Sequence, residues 1–167
     1  MLTIAGVASI AAIINAIFPV VSRASGAITT SSAKVNDRLR SDIEIIHAVG
    51  ELDSSGAFAD TNANGRFEIF VWVKNVGDTR ILSLEEIDVF VGRIGSFERI
   101  PHQVEVESGV YPRWAQDVEG QSDDTQWTPK QTLKISIDYD TDTQSQGSYD
   151  IKVTIPNGIT DEYFFSM

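Results

Sequence analysis

The sequence predicts an α+β chain in two parts: one long apolar helix over residues 1–41, then an all-β antiparallel sandwich over residues 42–167. Three observations predict it. Residues 1–22 carry no charged side chain, whereas all 24 acids lie beyond them. The hydrophobic period is helical before Ser41 and strictly alternating after it. Gly, Asn and Asp clusters then punctuate the alternating runs at turn-like spacing.

The first element is the apolar run from Met1 to Val21, in which only Thr3, Gly6, Ser9, Asn15 and Pro19 fall outside the apolar set. As a helix it spans ~31 Å, about one hydrocarbon core. Apolar residues surround every face, so a buried helix of a water-soluble protein fits poorly. No basic residue precedes the run, which favours a retained anchor or packed helix over a removed signal, although Ser22–Ala27 imitates a cleavage site. Pro19 removes one backbone donor and marks a kink or the exit from the apolar layer. Asn15 finds a partner in a neighbouring helix or bonds back to its own backbone. The small residues Ala5, Gly6, Ala8, Ala12 and Ala16 permit close helix approach. From residue 22 to 41 a narrow stripe of Ile28, Val35 and Leu39 resembles a packing seam.

The second element is a set of strands. The alternation predicts them at 42–49, 67–74, 84–91, 133–139, 149–155 and 159–165, with a weak hairpin around Val104–Val106. In FEIFVWVK, Phe67, Ile69, Val71 and Val73 share one face, and Phe70 and Trp72 the other. In 133–139, Leu133, Ile135, Ile137 and Tyr139 point inward. Residues 107–132 show the least pattern. Their Trp114 and Trp127 either form an exposed contact surface or fold back to cap the sandwich, and the second is favoured.

Chemistry is sparse. The net charge of −11 argues against nucleic acid and against adsorption on an anionic membrane face. Cysteine is absent, which removes disulfides and thiolate chemistry. His47 sits in a predicted strand with no visible partner, and the adjacent pairs Glu85/Glu86 and Asp123/Asp124 would point to opposite faces. No nucleophile elbow or phosphate loop is present, so no enzyme is expected.

One motif is sharper: Asp60-Thr61-Asn62-Ala63-Asn64-Gly65 matches the first six positions of a calcium loop. Asp60, Asn62 and Asn64 are therefore candidate Ca2+ ligands. Val71 stands where the twelfth-position glutamate belongs, and Glu68 or Asp123 would have to substitute. The other reading is a metal-free hairpin turn directed by Asn64-Gly65, and it is favoured.

The runs NAIFPVVSRASG (15–26), DRLRSDIEIIHA (37–48), VWVKNVGDTRI (71–81) and LSLEEIDVFVG (82–92) resemble FlaG, an archaellum accessory and stator family. FlaG belongs to the type IV pilin-like superfamily that also holds the archaellins. The resemblance covers residues 15–92, with Ala5 standing where many pilins carry glutamate. It implies an immunoglobulin-like sandwich outside an archaeal membrane. It also implies partners among archaellum components, the surface layer, or further copies of the chain. Three roles follow as expectations. The chain is a structural filament subunit assembling through its helix, a stationary membrane-anchored stator whose β-domain binds the surface layer, or a tethered calcium- or carbohydrate-binding module.

Overall fold

In the computed structural model, residues 32, 34–57, 59–121, 125–140 and 146–167 are described. Two units divide the chain, Met1–Asp37 and Arg38–Met167. The expected apolar helix, with Ala5, Gly6, Ala8, Ala12, Asn15, Ala16, Pro19 and Ile28, lies outside the described residues, as do Asp123 and Asp124. Residues 34–40 are helical, with Val35 and Leu39 exposed.

The second unit is two four-stranded antiparallel sheets around one core. The first orders β1 (Ile43–Gly50), β2 (Arg66–Asn75), β8 (Thr132–Asp140) and β6 (Arg113–Val118). The second orders β10 (Thr160–Ser166), β9 (Ser148–Thr154), β4 (Asp88–Arg93) and β5 (Ser96–Ile100). A short ribbon joins β3 (Ile81–Leu82) to β7 (Gln126–Trp127).

Alternation decides which side chains enter the core. Phe67, Ile69, Val71 and Val73 of β2 are buried, as are Leu133, Ile135, Ile137 and Tyr139 of β8. Tyr149, Ile151 and Val153 of β9, with Ile155 just beyond it, face them from the second sheet. Burial raises the Tyr139 phenol well above its ordinary range. Trp114 and Trp127 have no exposed surface. They fold inward and are core residues, and the Trp127 indole donates to the Gln131 carbonyl at 3.0 Å. Outward-facing Phe70 and Trp72 are half-buried under the Lys134 ammonium, 4.4 and 5.8 Å from their ring centres.

Both edges of the sandwich are stitched. At one, the β1 register shifts between Ile45 and His47, and the Ile45 amide donates to Asp161 Oδ2 of β10 at 2.7 Å. At the other, Trp114 N donates to the Pro101 carbonyl and Gln103 N to the Trp114 carbonyl, at 3.0 and 2.8 Å. His102, buried there, meets Trp114 edge-on at 4.5 Å and Gln116 Oε1 at 2.6 Å.

Three expectations are corrected. The strand over 84–91 begins only at Asp88. Ser83 adopts a left-handed conformation (φ 54°), and Leu84–Glu86 form a 3-10 turn that buries Leu84. The hairpin closes at Ile94-Gly95 between β4 and β5, where Gly95 has φ 92°, and not around Val104–Val106. Val104 is 70% exposed, in a turn pinned by Glu105. The weakly patterned 107–132 segment contributes both β6 and β7.

Candidate functional site

Two of the runs that carried the sequence resemblance, 37–48 and 71–81, meet where the helical residues 34–40 give way to β1. Two turns grip the chain there. The β2–β3 turn supplies amides: Val76 N and Gly77 N donate to the Asp42 carbonyl at 3.1 and 3.0 Å, and Asp78 N to the Arg40 carbonyl at 2.8 Å. The β9–β10 turn supplies side chain and carbonyl. Asn157 Nδ2 donates to Ser41 Oγ at 2.7 Å, and the Arg38 guanidinium to the Gly158 carbonyl at 3.4 Å. Ser41 Oγ also shares a 2.6 Å hydrogen bond with Thr79 Oγ1.

Local sequence explains the collar. Asn75, wholly buried, donates through Nδ2 to the Thr79 and Trp127 carbonyls at 2.9 and 3.1 Å and accepts from Gly77 N at 3.2 Å. Its side chain thus closes the turn and ties it to β7. A buried amide so fully paired carries little desolvation penalty. Gly77 is required by space. A Cβ there would stand 2.4 Å from Asp42 N and 2.7 Å from the Arg40 carbonyl oxygen, both backbone atoms. The Lys-Asn-x-Gly-x-Thr pattern is therefore a clamp on the chain between helix and sandwich. Sequence reading missed Ser41 and Asn157, for which Asn157-Gly158 was a turn signal without a target.

The candidate calcium residues lie on a separate loop before β2. Asp60 Oδ1 accepts from Asn64 N at 2.9 Å, and Oδ2 from Gly65 N at 2.6 Å. Asn62 Oδ1 accepts from Asn64 N at 3.0 Å, and Asn64 Oδ1 from Arg66 N at 2.9 Å. Glu68 Oε2 accepts from Asn62 Nδ2 at 2.5 Å. Glu51, which the sequence did not single out, is buried and takes the Thr61 amide at 2.7 Å and the Thr61 hydroxyl. Asp60, Asn62 and Asn64 thus share one turn, held by its own amides, and the Glu68 carboxylate of β2 closes on it. Val71 is buried in β2 and faces the core. Among the described residues, no three His, Asp or Glu side chains converge as a metal cage. His47 is exposed and stacks on Trp72 at 5.6 Å.

A family model described as archaeal-type flagellin matches residues 1–165. A protein of Archaeoglobus fulgidus, of uncharacterised role, is 26% identical over 169 residues, covering 99% of this chain and 94% of that one. The archaellum periplasmic stator protein FlaG of Sulfolobus acidocaldarius is similar in fold. Its TM-score is 0.56 at 23% identity, over 75% of this chain and 99% of that chain. The FlaF–FlaG stator complex from the same organism gives a TM-score of 0.52 at 25% identity, over 74% and 87%. The matching family and the two stator structures are structural archaellum components rather than enzymes. With the family matched along nearly the whole length and the sandwich shared with FlaG, the chain belongs to the archaeal-type flagellin family as a FlaG-like, archaellum-related protein.

Proposed function

We propose that the protein is a stationary, membrane-anchored stator element of an archaellum, its sandwich held outside the membrane and its apolar segment 1–21 serving as the anchor. The fold shared with two stator structures carries the reading. The immunoglobulin-like description of the sandwich and a FlaF-like partner rest on the same likeness. The collar supports it physically. A stator transmits torque between membrane and surface layer, and the chain between helix and sandwich is where that load passes. From Arg38 to Asp42 the polypeptide is cross-tied by backbone amides from one turn and by a side chain and a carbonyl from another.

The second reading is a filament subunit, favoured by the description of the matching family. Its helices would pack in a dry bundle through Ala5, Ala8, Ala12 and Ala16, with Asn15 and Pro19 at fixed depth. Electron microscopy of the purified full-length chain separates the two. The stator reading expects discrete particles in detergent, and regular fibres would overturn it. In cells, Ala12→Asp should release the protein from the membrane fraction, because an unpaired carboxylate at bilayer depth costs several kcal/mol. Undiminished membrane retention would remove residues 1–21 from the anchoring role.

A further inference from the structure

On the outer face of the second sheet, one cross-strand row runs Phe164–Asp150–Gly92–Phe97 through β10, β9, β4 and β5. The row beside it runs Glu162–Lys152–Phe90–Arg99. Between them lies a shallow cavity of about 530 Å3 lined by Phe90, Phe97, Asp150, Lys152 and Glu162. Phe164 stands beside it, 64% exposed, and Phe97 is 42% exposed. Gly92 shapes the cavity, since a Cβ there would fall 1.8 Å from the Ser96 carbonyl oxygen. Its absence lets β5 close over β4 and bring Phe97 to the rim.

Asp150 gives the cavity its chemistry. Its Oδ1 is shielded from water and has no hydrogen-bond partner, although the rest of the side chain is partly exposed. The cation next along the strand, Lys152, is committed to Glu162 at 2.7 Å. A shielded carboxylate oxygen without a donor is costly, and a group from outside that supplies one removes the cost. Exposed phenyl rings beside it attract a cation through their faces.

We propose that this face docks a partner protein through a lysine or arginine side chain, seated against Phe90 and Phe97 and ion-paired to Asp150. Charge selects the occupant. Two copies of this chain, each with a net charge of −11, repel one another, whereas a basic segment on a different protein is drawn in. Burial, with Glu162 nearby, already pushes the Asp150 carboxyl up from its ordinary value, and a paired cation acts in the opposite direction by favouring the carboxylate. The proposal is independent of the stator reading, since it uses none of the collar's contacts and stands in a filament subunit as well.

The test uses the full-length chain in detergent micelles with isotope-labelled phenylalanine. The probe is the peptide acetyl-Gly-Arg-Gly-amide, and its citrulline counterpart is the uncharged control. Saturable shifts of the Phe90 and Phe97 ring signals are expected with the arginine peptide alone, weakened at least ten-fold in Asp150→Asn. Phe97→Leu should weaken them too, while both variants keep a cooperative melting transition. Equal binding of the citrulline peptide would overturn the proposal, as would a folded Asp150→Asn that binds like the parent, or no saturable shift at all. Shifts of the same rings on concentrating the protein without peptide would assign the face to a second copy, and so overturn it as well.

Discussion

Ser41 and Thr79, 38 residues apart, share a hydroxyl–hydroxyl hydrogen bond of 2.6 Å, and Asn157 from a third segment donates to the same Ser41 oxygen. One serine thus joins the end of the helical residues to two separate turns of the sandwich. Removing its hydroxyl should loosen both turns around the start of β1 more than it weakens the core.

The collar sets how short the folded unit can be cut. Fragments 38–167 and 42–167 should both give strand-type circular dichroism, because the buried hydrophobic residues among the described ones all lie beyond Ser41. The shorter one loses the Arg40 carbonyl and the Ser41 hydroxyl. It should be less stable by about 1–2 kcal/mol, a few degrees in Tm. Equal melting of the two would deny the collar any energetic role, and a helical or insoluble 42–167 would deny the sandwich its autonomy.

Gly77→Ala tests the close approach directly. Its Cβ would collide with backbone at Asp42 and Arg40, which no side-chain rotation relieves. A loss of about 1–3 kcal/mol is expected in thermal or denaturant unfolding. Asn75→Ala should cost a similar amount, because it leaves the Trp127 carbonyl buried without its donor. If both variants melt like the parent, the Lys-Asn-x-Gly-x-Thr pattern has some other purpose.

The strands of the sandwich were legible because their core faces are written in alternation. Ile69, Val71 and Val73 against Ile135 and Ile137 need no further information. β6 was illegible for the opposite reason. Arg113–Val118 reads without alternation, its Trp114, Ala115 and Val118 set among Arg113, Gln116 and Asp117, and its strand character comes from pairing with β8 and from the Pro101–Trp114 bond, both remote in sequence. Leu84–Glu86 misled because the left-handed Ser83 and the 3-10 turn after it interrupt the strand while leaving the alternation of Ile87, Val89 and Val91 intact. Of the collar, Asn75, Gly77 and Thr79 stood in one of the runs that resemble FlaG. Their target was hidden, since hydrogen bonds to Arg40 and Asp42 carbonyls leave no mark on residue type.

The Asp60 loop should behave as a metal-free turn. Asp60→Ala removes acceptors for the Asn64 and Gly65 amides and should lower Tm by the same few degrees in chelator and in millimolar calcium. A calcium-dependent rise in Tm that Asp60→Ala abolishes would instead make Asp60, Asn62 and Asn64 ligands.

Two carboxyls should respond to pH with opposite signs. Hydrogen bonding to Arg99 holds Glu105 below the usual glutamate range. Its contribution is complete above that range and disappears as pH falls through the lowered folded value. Because the pair is partly exposed, it is worth only about 0.2–1 kcal/mol. Glu105→Gln should therefore melt lower than the parent at pH 7 and approach it near pH 3. For Asp150, raised mainly by burial, the stabilising state is the protonated one. Its contribution is present at low pH and lost as pH rises through the raised folded value. Asp150→Asn should gain on the parent as pH rises from 3 to 7. Parallel melting profiles for parent and variants would contradict both assignments.

The Ile45–Asp161 hydrogen bond also bears on crowding. An open sheet edge is a template on which a neighbour's strand can add, and proteins held at high local density are the most exposed to that accident. Here the amide at the β1 irregularity is already occupied by a carboxylate from the opposite sheet. A second molecule arriving edge to edge finds a negative charge where it would need a free donor. Neighbouring copies can therefore stand close without fusing into a continuous ribbon through this edge.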